Sequence, residues 1–205
     1  MSKFDEMILV VNRDALFNHE DYHFHGFLSR EHEHFAAVRD ALDGYMIKRR
    51  GDMEEDPTYK QLVSYCVLVN ENDEVLVYER LKGGGETRLH GNLSIGVGGH
   101  MNNVFEQADI NQQLTENAYR ELEEEVGLKE ADARDLEIIG LINDDTNDVG
   151  QVHIGVVFKV EVDSSLISAV ETDTLRIKWQ DPKDFGDLDD YETWSALIVD
   201  ELYGS

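Results

Sequence analysis

"YRELEEEVGL", residues 119–128, decides how this chain is read. Glu121, Glu123, Glu124 and Glu125 crowd into it beside one cation, Arg120, and Gly127 stands near its end. On a helix over 109–126, Leu114, Ala118, Leu122 and Val126 recur every four residues and form one apolar stripe. Glu121, Glu124 and Glu125 stand at i, i+3 and i+4 and share another face. Three carboxylates on one face repel one another unless a cation sits among them. Hard divalent ions such as Mg²⁺ or Mn²⁺ take oxygen ligands of this kind. A solvated acidic face is the plainer alternative. Arg120 lies one turn from both Glu116 and Glu124, where it can hold a carboxylate in place. Asp109 and Gln112 fit an N-cap and its capping-box partner, and Gly127 fits the left-handed position just past a helix.

Outward from this helix, strands and helices are mixed without strict βαβ alternation, which predicts an α/β or α+β sandwich on a mixed sheet. Residues 6–11 read as a short strand, and 31–44 as a helix closed by Gly44. "QLVSYCVLV" and "EVLVYER" flank "NEND" as a β-hairpin, and "NLSIGVGGH" reads as a strand running into glycines. "LEIIGLI", "VHIGVVFKVEV" and "LRIKW" are further strands. The last helix covers "YETWSALIVDELY", with Trp194, Leu197, Ile198 and Leu202 toward the core. "MIKRRGDMEEDPTYK", polar and holding Gly51 and Pro57, is the best linker candidate.

The 205 residues carry a net charge of −26, which argues against bulk nucleic-acid binding and against anionic membranes, both polyanions. No apolar run approaches the roughly 18 residues of a membrane span, and the N-terminus does not read as a secretory signal. The single cysteine, Cys66, lies in an apolar strand and excludes an internal disulfide, consistent with a cytoplasmic setting. Positive charge is concentrated in residues 78–100, where Arg80, Lys82, Arg88 and His90 flank Gly83 to Gly85. Lys82, Arg88 and His90 are candidate contacts to a phosphorylated small-molecule substrate.

The run Arg120, Glu121, Leu122, Glu123, Glu124, Glu125, Val126, Gly127, Leu128 resembles the second half of the Nudix box, and "GVGG" precedes it. The first half departs from the pattern. Gln112 stands where the family has glutamate, and Gly99 lies about seven residues early, so residues 100–112 look like an insertion. Glu106, Asp109 and Glu116 are the candidates to replace the missing carboxylate. The resemblance implies an α/β/α sandwich over 61–205, with residues 1–60 as an N-terminal extension packed on it. It implies an Mg²⁺- or Mn²⁺-dependent hydrolase that cleaves a phosphoanhydride in a nucleoside diphosphate-X type molecule. Its alternative is a non-catalytic nucleotide-binding or regulatory protein of the same fold. Glu124 and Glu125 would be metal ligands, Glu121 a ligand or the base, and Arg120 an orienting group. The Gly99 carbonyl would add a ligand, and Asp144, Asp145 or Asp148 a further acid. Related folds often pair, so a homodimer is also expected.

Overall fold

The computed structural model describes residues 1–81, 92–104, 108–170 and 175–204. In chain order its elements are β1 (Met7–Asn12), α1 (Arg13–Leu16), β2 (Gly26–Ser29), α2 (Phe35–Ala41), β3 (Met46–Arg49), α3 (Arg50–Met53), β4 (Tyr59–Val69), β5 (Val75–Arg80), β6 (Leu93–Ser94), α4 (Ile110–Val126), β7 (Asp135–Asn143), α5 (Asp148–Gln151), β8 (His153–Glu161), β9 (Leu175–Gln180) and α6 (Thr193–Tyr203). The chain forms two compact units. One comprises Met1–Ser64, Gly99–Ala118 and Ile139–Val157; the other comprises Tyr65–Gly98, Tyr119–Ile138 and Phe158–Ser205.

In the first unit the strands lie in the order β2-β7-β8-β4-β1-β3. β1 pairs antiparallel with β3 (Val10 opposite Met46) and with the start of β4 (Val10 opposite Gln61). After Gly99 the chain continues as an extended segment: Ser64 N–H donates to Gly99 O, Met101 N–H to Leu62 O, and Leu9 N–H to Met101 O. The buried side chains of Asn117 and Gln113 then tie this segment to α4. Asn117 bonds Asn102 N–H and O, and Gln113 accepts from Val104 N–H. Residues 100–104 and 108–112 are therefore hydrogen-bonded structure leading into the helix. In the second unit β5 pairs with the end of β4 and with β6 and β9. The hairpin between β4 and β5 turns on Asn70, whose side-chain oxygen accepts from Asn72 and Glu74 N–H. Gln61 N–H donates to Val152 O and Val162 N–H to Val69 O, so β8 runs parallel to β4 and the sheet is mixed.

The expected α4 forms with its expected ends. Gln112 N–H donates to Asp109 Oδ1 at 2.9 Å and Asp109 N–H to Gln112 Oε1 at 3.3 Å, a complete capping box. Gly127 adopts φ +70° and its N–H closes on Glu123 O. Leu114, Ala118, Leu122 and Val126 are all buried. The linker expected at 46–60 does not exist. Residues 46–49 form a strand on β1 and 50–53 a helical turn, and Lys60 and Gln61 are fully buried in β4. Polar composition misleads here because the strand has one exposed face and the buried polar groups have partners. Leu202 is exposed, and the buried face of α6 is Ser195, Ile198 and Val199.

Asp145 anchors the first unit's polar interior. It accepts from Lys60 Nζ (2.5 Å), Arg13 Nη2 (2.9 Å) and His23 Nε2 (2.7 Å). Burial pushes its carboxyl up, but the hydrogen bonds from Arg13, Lys60 and His23 outweigh this and hold it well below the ordinary carboxylate range. A depressed acid contributes stability that is present above its unfolded value of about 3.9 and is lost as pH falls toward its folded value. Asp145→Asn should therefore lower stability at pH 7 by on the order of 2 kcal/mol, since Asp145 keeps some solvent contact while Lys60 has none. Thermal melts should show the gap to wild type shrinking below about pH 4.

Candidate active site

The carboxylates of Glu121, Glu124 and Glu125 differ in setting although they share a face of α4. Glu121 is buried, Glu125 half-buried, and Glu123 and Glu124 exposed. Arg120 lies between two of them, its guanidinium 3.0 Å from Glu121 Oε1 and 3.4 Å from Glu124 Oε2. Burial pushes the Glu121 carboxyl up to about 7; Arg120 pulls it down, and Glu124 and Glu125 push it further up. A carboxylate so placed gains from any nearby cation.

Glu125 reaches a small pocket with Tyr78, Arg80, Val97, Gly98, Leu175 and Ile177. Its wall is braced. The Tyr78 hydroxyl donates to Gly96 O at 2.6 Å, and the Arg80 guanidinium lies over the Tyr78 ring. Glu192 caps α6 through Trp194 and Ser195 N–H and also accepts from the Ser195 and Tyr65 hydroxyls. Ser195 Oγ in turn accepts from Ile95 N–H at 2.9 Å. Tyr65 lies flat against Gly96, where an added Cβ would fall 2.0 Å from the ring. Residues 94–98 are thus clamped by Tyr65, Tyr78 and Ser195. The sequence flagged Arg80 only as part of a basic stretch. Tyr65, Tyr78, Ser195 and Glu192 carry no local signal for this role.

The other expected residues fall as follows. Lys82, Arg88, His90 and Glu106 lie outside the described residues. Gly99, in the first unit, offers its carbonyl to Ser64 N–H. Gln112 and Asp109 are used by the helix cap, and Glu116 is half-buried on α4. Asp144 is buried and accepts from Thr146 and Asn147 within its own loop. Asp145 is held by Arg13, Lys60 and His23, and Asp148 is exposed on α5. Among the described residues no group of three or more His, Cys, Asp or Glu side chains is already placed to hold a metal ion. The donor chemistry nevertheless fits a hard divalent ion: all-oxygen ligands on one helix face, one of them buried at an energetic cost that a cation would offset.

Residues 59–202 match the NUDIX domain. The chain belongs to the Nudix family. It is a Nudix-type hydrolase, with the α/β fold of that family. Protein YmaB of Bacillus subtilis (strain 168) is 42% identical over 206 residues, covering 98% of this chain and 100% of that protein. The crystal structure of Tm1382 is 28% identical and superposes with a TM-score of 0.77 over 97% of this chain and 98% of that one. DR0079 from Deinococcus radiodurans, 14% identical, shares the fold at a TM-score of 0.52 over 80% of this chain and 94% of that one. Among the described residues no helix is long and apolar enough to cross a membrane.

The Glu121 environment is directly measurable. In metal-free protein its carboxyl should titrate near 7, followed by carboxyl NMR. Arg120→Ala should move that titration upward, because the guanidinium favours the charged form.

Proposed function

We propose that this Nudix hydrolase cleaves a phosphoanhydride bond in a small molecule of the nucleoside diphosphate-X type, using Mg²⁺ or Mn²⁺. The observation that carries the reading is the buried Glu121 beside Arg120 on a helix whose Glu125 opens into a pocket with Arg80. Glu121, Glu124 and Glu125 would hold the ion. When bound, the metal neutralises phosphate oxygens and lowers the pKa of a coordinated water.

The chain's own side chains do the rest. Arg120 keeps Glu121 and Glu124 at fixed separation and limits their mutual repulsion. Burial raises the proton affinity of Glu121 in the metal-free protein, and Glu121 would take a proton from an attacking water if it is not itself a ligand. The clamped 94–98 segment gives Glu125 a rigid neighbour. Arg80 supplies positive charge beside it, and Lys82, Arg88 and His90 would extend that charge along a substrate's phosphates. The apolar side chains of Val97, Leu175 and Ile177 line the same pocket.

The test is hydrolysis of a nucleoside diphosphate-X panel with Mg²⁺ or Mn²⁺, wild type beside Glu125→Gln. Metal-dependent turnover should fall by orders of magnitude in the variant while its thermal melt stays near wild type. Lys82→Ala and Arg88→Ala should mainly raise KM, as expected for groups that hold ground-state phosphate. Absence of turnover across the panel, with nucleotide still bound, would replace this reading with the non-catalytic binding protein.

A further inference from the structure

A second polar cluster lies in the first unit, built from His100, His153 on β8 and Gln61 on β4. His100 Nε2 is 3.0 Å from His153 Nε2 and 2.9 Å from Gln61 Oε1. Gln61 is fully buried, His153 nearly so, and His100 is partly exposed.

The hydrogen-bond directions show what kind of atoms meet. His153 Nδ1 lies 2.6 Å from Val149 O, so that nitrogen carries the proton and Nε2 presents a lone pair. Gln61 Nε2 donates to Met53 O, which leaves its amide oxygen facing His100. Two acceptors are therefore aimed at His100 Nε2, which has at most one proton to give them. One proton at most serves these three atoms, so lone pairs outnumber protons at the junction, the arrangement a cation resolves. Two of the three are also oriented from behind by backbone carbonyls, as ligands of bound metals are.

We propose that His100 Nε2, His153 Nε2 and Gln61 Oε1 form a site for a late first-row divalent ion such as Co²⁺, Ni²⁺ or Zn²⁺. Two imidazoles and one amide oxygen select this class over Mg²⁺. An ion about 2.1 Å from each atom would see His100 about 90° from both His153 and Gln61, and water would complete its coordination. Arg50, Lys3 and Lys60 add positive field at this cluster, while Glu54 acts on His153 with the opposite sign. Lys60 is already countered by Asp145 and Arg50 by Glu54. The site is independent of the hydrolase reading, because none of its ligands is on α4.

Co²⁺ is the probe, since its visible absorption reports coordination. The full chain is titrated in saturating Mg²⁺, which covers hard carboxylate sites. Wild type should bind one equivalent with new visible bands that Zn²⁺ abolishes. His100→Gln and His153→Gln should each weaken binding by about tenfold or more. No Co²⁺ binding above the Mg²⁺ background, or binding equal to wild type in a folded variant, would overturn the proposal and leave a hydrogen-bonded histidine pair. If His153→Gln fails to fold by circular dichroism, the more exposed His100→Gln decides the matter alone. Zn²⁺-induced shifts of the two Nε2 resonances in wild type are an independent readout.

Discussion

A carboxylate on the buried side of a helix is the constraint from which the site follows. Glu121 occupies a setting where its charge is disfavoured, and a neighbouring cation is the cheapest remedy. Arg120 supplies part of it. That arrangement only holds if the helix cannot slide or fray. Its start is fixed by the reciprocal Asp109–Gln112 cap, and its end by Gly127. The amides of Ser168 and Val170 take up the last carbonyls, those of Val126 and Glu125.

The interior uses the scarce positive charge economically. The chain has 18 Lys and Arg against 44 Asp and Glu, so surplus carboxylates can sit only where water or a cation receives them. Lys60 and Arg13 converge on Asp145, and Arg120 serves two glutamates. Each of these buried charges thus has a partner, which is the condition for burial to be tolerated. Buried amides do the same for backbone: Asn117 and Gln113 hold the segment after Gly99 against α4.

Local signals were legible where one residue acts on its own neighbours. The cap, the four-residue apolar stripe, the glycine end and the Asn70 turn all follow from contacts within a few positions, and each formed as expected. The linker assigned to 46–60 failed for a non-local reason. Gly51 and Pro57 mark a loop by composition, yet β1 offers 46–49 a strand to pair with. Gln112, a departure from the family's glutamate and the expected capping-box partner, is half of the helix cap.

The sequence by itself determined the carboxylate helix, its two ends and the chemistry its face can support, because spacing along a helix sets which side chains are neighbours. Only the tertiary structure decided that Glu121 is buried while Glu124 is exposed, and that Arg80 shares a pocket with Glu125. It also decided that His100 meets His153 and Gln61. Burial, and with it proton affinity and electrostatic strength, depends on what packs over a residue, and those partners lie tens of positions away in the chain.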